Sequence, residues 1–299
     1  MNKVQVLILM STYNGKKYLS EQIKSIFDQE TDNIEISLLI RDDGSKDNTV
    51  EIVKDFQKKY KNIKLIVGDN IGPAQSFRSL INECNSQYAY YAFSDQDDIW
   101  CKNKIATAVQ EMHLEQNESP ILWYSALSRL NSEAKENYFF CPAARANDFE
   151  SVIDTFATTN GCTMVFNKRL LEILKEVPEG KIDMHDSWTN AMCLAVGGKV
   201  IADSRVFVKY RIHDEQVLGN KRKTLKTLFG NFKDPSLKRR ETVNTMLKSK
   251  YIMGKQREYL QIINNYKNNK RKILLKKRPL GITRREYLKF LIQILCNTY

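Results

Sequence analysis

Compact apolar runs alternate with amphipathic stretches through the first hundred residues. Residues 4–10 and 34–40 are compact, mostly apolar runs, as expected of strands covered on both faces. Each ends in a polar turn, Ser11-Thr12-Tyr13-Asn14-Gly15 and Arg41-Asp42-Asp43-Gly44-Ser45. Asp47 is placed to cap a helix reaching residue 60, on which Val50, Val53, Phe56 and Gln57 trace one face. Residues 63–67 form a third strand. Gly72-Pro73 opens another helix, since proline is tolerated in a first turn. Residues 88–93 form a fourth strand that runs directly into Ser94-Asp95-Gln96-Asp97-Asp98. The βαβαβαβ order predicts an α/β fold, with a Rossmann-like, mostly parallel sheet and helices on both faces. Ligands of such sheets bind at the carboxyl ends of the strands. The turns after strands one, two and four all fall on that edge.

The pattern is less regular from residue 121 to 213. Residues 122–127, 162–166 and 206–212 are strand-like, and residues 149–158 and 185–196 are helical candidates. After Gly219 the chain turns to Lys/Arg-rich helical stretches with breaks at Pro235 and at Pro279-Leu280-Gly281. This gives an expected catalytic domain over residues 1–219 and a basic helical region over 220–299. The first comprises a nucleotide-binding half over 1–100 and an acceptor half over 101–219.

Charge sharpens that division. The whole chain of 299 residues carries a net +12, but residues 221–299 hold 22 Lys/Arg against four Asp/Glu, leaving a slightly acidic body. A basic segment seeks phosphate on nucleic acid or on an anionic membrane. The tail has few aromatics interleaved with its cations and matches no nucleic-acid motif, so nucleic acid is set aside. Residues 284–295 combine a wide apolar face with flanking cations, which suits the headgroup region of an anionic bilayer; the same face would also serve for packing on the body or in a homodimer. The six cysteines are scattered without C-x-x-C spacing, as in a reducing cytosol. No apolar run approaches a signal peptide or a membrane span.

Asp95-x-Asp97-Asp98 concentrates three carboxylates in four residues, and like charges repel unless a cation or hydrogen-bond donors neutralise them. A hard divalent ion is one solution; capping a helix that starts near Lys102 is the other. Asp186 has the same two readings, His213 can be a metal ligand or an edge histidine, and Asp42 and Asp43 with Gly44 would make an ordinary turn in any protein.

Taken in order, the turns already quoted, with Asp47 completing the second, are followed by Phe93-Ser94-Asp95-Gln96-Asp97-Asp98-Ile99-Trp100, Asn160-Gly161-Cys162, Met184-His185-Asp186-Ser187-Trp188 and Tyr210-Arg211-Ile212-His213. Across about 210 residues the sequence resembles family 2 glycosyltransferases of the GT-A fold, in their bacterial rhamnosyltransferase-like branch. The resemblance implies an inverting transfer from a nucleoside-diphosphate sugar with Mn²⁺ or Mg²⁺. Thr12, Tyr13 and Asn14 would line the nucleotide, with Asp42 on the pyrimidine edge and Asp43 shaping its turn. Asp95 and Gln96 would meet the ribose or diphosphate. Asp97, joined by His213, would hold the metal, and Asp186 would be the general base. Gly161, Cys162, His185 and Trp188 would border the acceptor. The Gln-x-x-Arg-Trp signature of processive synthases is absent, which points to one or a few additions per encounter. Gln216 stands where the branch usually has Asn.

The implied donor is dTDP-L-rhamnose, with a UDP-hexose as the alternative. The implied acceptor is a glycan or lipid-linked glycan of a bacterial surface polysaccharide, reached from the cytoplasmic face of the cell membrane. An inactive membrane-surface binding module is the reading from a different class.

Overall fold

The computed structural model describes residues 3–115, 118–130, 136–141, 148–155, 160–213, 235–279, 282–297 and 299. Strands β1 (Val4–Thr12), β2 (Ile34–Asp42), β3 (Ile63–Val67) and β4 (Tyr90–Ser94) lie parallel in the order β3-β2-β1-β4. Helices α1 (Leu19–Phe27), α2 (Thr49–Lys59) and α3 (Pro73–Glu83) make the crossovers. Because side chains alternate across a strand, one run feeds two cores. Leu7 and Leu9 of β1 enter the core on one face, and Val6, Ile8 and Met10 the core on the other.

Past β4 the pairing becomes mixed. The short β5 (Ile99–Trp100) precedes α4 (Lys104–His113), and β6 (Ile121–Leu130) pairs with β7 (Glu136–Cys141). Helix α5 (Phe149–Thr155), a 3₁₀ turn (Gly161–Thr163), β8 (Val165–Asn167), α6 (Lys168–Glu176), α7 (His185–Ala195) and β9 (Lys199–Arg211) follow. The sheet continues from β4 through antiparallel β8 to β6, then through parallel β9 to antiparallel β5. The wholly parallel part is therefore the block β3-β2-β1-β4, within residues 4–94.

Several boundaries differ from the sequence expectation for physical reasons. Residues 162–166 do not form one strand: the 3₁₀ turn takes the first part, and its backbone groups bond to side chains of the site described below. Helix α2 starts at Thr49, and Asp47 accepts the Thr49 N–H from outside the helix. Pro235 opens a helix where a break was expected, the position a proline tolerates best. Of the expected features, residues 156–158, Gln216, the boundary at Gly219, Leu280 and Gly281 lie outside the described residues.

The C-terminal helices α8 (Pro235–Leu247), α9 (Gly254–Asn264), α10 (Tyr266–Leu274) and α11 (Arg284–Leu295) pack over one side of the body. Val243, Met246, Leu260, Tyr266, Phe290 and Ile294 share a core with Phe77, Val152 and Trp188. Among the described residues no helix is long and apolar enough to cross a membrane.

Candidate active site

The turns at the carboxyl edge are stapled to one another by side chains. Gln96, from the acidic loop, accepts the Tyr13 N–H at 2.9 Å and donates to the Tyr13 carbonyl at 3.0 Å. A Cβ on Gly15 would stand 2.2 Å from Gln96 Oε1 and displace this amide. Asn14, at φ 49°, joins the first turn to the second: its N–H donates to Ser45 Oγ and its Oδ1 accepts the Lys46 N–H, both at 2.8 Å. Asp42 is fully buried and accepts the Thr12 hydroxyl (3.0 Å), the Ser45 hydroxyl (2.6 Å) and the Ser45 N–H (2.9 Å). Asp43 is committed to the buried Arg41 guanidinium and to the N–H groups of Ile71 and Gly72. Tyr13 presents a 45% exposed ring at this edge.

The acidic loop does not cap a helix. Strand β5 separates it from α4, whose cap residue is Asn103. Asp97 and His213 meet, with Oδ2 and Nε2 2.8 Å apart. Arg211 holds the Asp97 side of this pair: its Nε donates to the Asp97 carbonyl at 3.0 Å, and its guanidinium is itself paired with Glu21 at 2.5 Å. Tyr18 packs beneath, 4.5 Å from the Arg211 guanidinium and 5.0 Å from the His213 ring. Two donors on one Mn²⁺ or Mg²⁺ with bonds of ~2.1 Å at right angles stand about 3 Å apart. The oxygen and nitrogen of Asp97 and His213, hydrogen-bonded to each other here, have about that separation.

A second, deeper group is formed by Asp95, Asp98 and Cys162, whose ligand atoms lie within 4.8 Å of one another. Its chemistry differs. Burial and the Asp98 and Asp95 carboxylates push the Cys162 thiol well above its usual range, and a protonated thiol is a poor nucleophile. The cation of this layer belongs to the chain itself. Lys104 is fully buried, donates to the Cys162 carbonyl at 2.7 Å and stands 3.2 Å from the centre of the Trp100 ring. Burial brings its ammonium down to about 7, against the pull of Cys162, Asp98 and Asp95. Asp95 is raised to about 7 by burial and by the charges of Asp97 and Asp186, with Lys104 opposing.

Asp186 is the second residue of α7, two positions after the cap residue Met184, so it is not the cap. Its carboxylate accepts the Ser187 N–H at 2.6 Å and the Gly161 N–H at 3.2 Å. Burial nevertheless lifts it to about 6. His185 is sealed behind it, stacked on Phe77 at 3.8 Å and edge-on to Phe93 at 4.8 Å. Both its ring nitrogens are buried without a hydrogen-bond partner, and burial holds it down at about 3, a neutral imidazole. A Cβ on Gly161 would come within 2.3 Å of His185 Nε2. Trp188 lies wholly in the core, with the Arg78 guanidinium 4.2 Å from its ring.

Most sequence-selected residues thus gather on one edge: the Tyr13 turn, the acidic loop, His213, and the Gly161–Cys162 turn with Asp186. Lys104, Arg211 and Glu21 were not singled out. The only sequence signal for Lys104 was a cation opening an otherwise apolar helix face; Glu21 carried none. Two concavities of about 930 and 580 Å³ lie at the opposite edge, around Tyr90 and His113, without these acidic groups.

Residues 7–171 match the family model described as Glycosyl transferase family 2. The dTDP-rhamnosyl transferase RfbG of Shigella flexneri is 30% identical over 229 residues, which are 70% of this chain and 73% of the relative. Among solved structures, Staphylococcus aureus TarS residues 1–349 in complex with UDP-GlcNAc superposes with a TM-score of 0.61 at 15% identity, covering 99% of this chain and 82% of that one. The mannosyltransferase PcManGT from Pyrobaculum calidifontis, in complex with GDP-Man and Mn²⁺, gives 0.54 at 15% identity, covering 100% and 88%.

Proposed function

The chain belongs to glycosyl transferase family 2, and on that premise we propose that it moves L-rhamnose from dTDP-L-rhamnose to a hydroxyl of a glycan, with inversion at the anomeric carbon. The observation that carries this reading is the meeting of Asp97 and His213 at 2.8 Å on the edge that also bears Asp95 and Asp186. The similarity to RfbG supports the donor. A UDP-linked hexose is the second reading, favoured by the likeness to TarS, whose structure holds UDP-GlcNAc.

In this proposal the exposed Tyr13 ring stacks on the base, and the Thr12 and Asn14 turn follows the nucleotide. An ionised carboxylate offers about four acceptor positions; Asp42 has three filled by Thr12 and Ser45 and is fully buried here, so it reaches the N–H of a pyrimidine edge only when the Ser45 turn opens. Asp43 holds the turn through Arg41. Gln96 keeps the Tyr13 turn against the acidic loop while Asp95 faces the ribose and diphosphate. Asp97 and His213 would hold a divalent ion, which would supply charge stabilisation to the departing diphosphate. Asp186 accepts the proton of the attacking hydroxyl as the new C–O bond forms and the glycosyl–phosphate bond breaks. A base held near 6 is ionised at neutral pH yet more basic than an exposed aspartate, as general-base catalysis requires. One displacement with one base inverts the centre. The acceptor side is bordered by the Gly161–Cys162 turn. The acceptor is a lipid-linked glycan of a bacterial surface polysaccharide, and the enzyme works from the cytoplasmic face of the cell membrane. An inactive binding module would have no need of Asp97, Asp186 and His213 together.

The test is turnover of dTDP- and UDP-sugars by the purified protein, with Mn²⁺ or Mg²⁺ and after chelation. Metal-dependent hydrolysis or transfer is expected, with dTDP-L-rhamnose preferred. Binding and turnover of no nucleotide sugar under any condition would sink the enzyme reading.

A further inference from the structure

Helix α11 carries two apolar faces, although packing on the body uses only one. Tyr287, Phe290, Leu291 and Ile294 follow the 3–4 spacing of an inward stripe, and Phe290 and Ile294 are buried. Leu288, Ile292 and Leu295 form a second stripe at i, i+4 and i+7, and remain 58%, 50% and 55% exposed. At 100° per residue this stripe is centred about 120° around the helix from the first. Single exposed leucines are ordinary on any protein surface. Three on one helix face are not.

The charges around the stripe are one-sided. Arg284, Arg285 and Lys289 flank it, all exposed, and none has a partner among the described residues. The helix's one acid, Glu286, is turned to the other side, where it completes a capping box with Thr283. Lys277 and Arg278, also exposed, precede the helix in sequence, and Leu275 is 75% exposed.

We propose that this second face of α11 seats the enzyme on an anionic phospholipid bilayer. Leu288, Ile292 and Leu295 enter the acyl boundary, and Arg284, Arg285 and Lys289 reach the headgroup phosphates with their stems along the apolar stripe. The occupant is set by charge. A second copy of this chain would bring another unpaired cationic rim against the first, whereas an anionic headgroup layer neutralises it. The inward stripe anchors the helix to the catalytic body, so membrane contact and catalytic domain are held in a fixed relation. This deepens the reading of a membrane-borne acceptor given above, but the binding it describes does not depend on turnover.

The test uses the full chain and co-sedimentation with vesicles of phosphatidylglycerol and phosphatidylcholine, against phosphatidylcholine alone, at low and high salt. Wild type should bind the anionic vesicles and release in high salt. Leu288→Ser/Ile292→Ser/Leu295→Ser should lower binding tenfold or more. Arg284→Gln/Arg285→Gln/Lys289→Gln should lower it roughly a hundredfold at low salt, from about 1 kcal/mol per cation. Both variants change exposed residues only, and should keep the melting temperature and nucleotide affinity of wild type. Absence of wild-type binding overturns the proposal, as does binding that neither variant alters. It is equally overturned if wild type is a dimer that the first variant renders monomeric. Vesicle binding with no affinity for any nucleotide sugar would leave the membrane face standing and remove the transferase reading.

Discussion

At the residue scale the site depends on a contact with no spare volume. Gly161 gives its N–H to Asp186 and leaves its Cα against His185, where a Cβ would approach Nε2 to 2.3 Å and Cε1 to 3.1 Å. The ring has little room to retreat, being stacked on Phe77 and edged by Phe93. Gly161→Ala should therefore shift the turn that orients Asp186. A displacement approaching 1 Å costs on the order of 10²-fold in turnover, while overpacking costs about 1–3 kcal/mol of stability. Steady-state kinetics beside calorimetric nucleotide binding checks this: kcat falls and donor affinity persists. Loss of both together would make the contact purely architectural. Asp186 itself sets a pH limit. Its carboxyl is raised to about 6 by burial, so kcat/KM should fall as pH drops through about 6, two units above the limb an exposed aspartate would give. A limb near 4 would remove it as the base.

At the scale of elements, α5 and α9 meet over a buried carboxyl. Asp154 is 1% exposed, accepts the Tyr259 hydroxyl, and is raised to about 7 by burial against the opposing influence of Tyr259 and Lys276. The neutral acid is thus the form the folded chain prefers. Its contribution to stability is complete below the unfolded value near 4 and is lost as pH rises through about 7. Asp154→Asn, which keeps an acceptor and cannot ionise, should flatten the fall in melting temperature between pH 4 and 7, by an amount equivalent to ~2–4 kcal/mol at most. Parallel curves for variant and wild type would show that Asp154 does not titrate in that range. This network also marks where sequence reading stops. The β1, β2 and β3 strands and the turns that follow β1, β2 and β4 were legible because their signals are local: apolar runs, a glycine, a cluster of acids. The 3₁₀ turn over Gly161–Thr163 was not, because it is held by Asp186 and Lys104 from distant helices. A lysine at a helix start reads as solvated until the fold buries it under Trp100 and the acidic loop.

At the scale of the whole molecule, the division by charge and the division by packing do not coincide. The basic tail and acidic body suggest two units, yet the core that covers one face of the sheet runs without interruption from Phe77 and Trp188 into Val243, Leu260, Phe290 and Ile294. Tyr299 extends this contact, its hydroxyl donating to the Ile153 carbonyl at 2.7 Å and its ring edge-on to Phe290 and Tyr266. Removing residues 220–299 would uncover Val152, Ile153 and the apolar sides of α5 and α7, and each fully exposed core side chain costs about 1.5–3 kcal/mol. A handful of such exposures equals the net stability of a typical domain. The chain ending at residue 219 should therefore be insoluble or should melt far below the full chain, whose unfolding should follow one transition by near- and far-ultraviolet circular dichroism alike. A soluble 1–219 fragment that binds nucleotide as well as the full chain would restore the two-unit picture. This coupling is also why the membrane face must be tested by exposed point variants on the intact chain: deleting the helices would remove the lipid contact and a wall of the catalytic core at once.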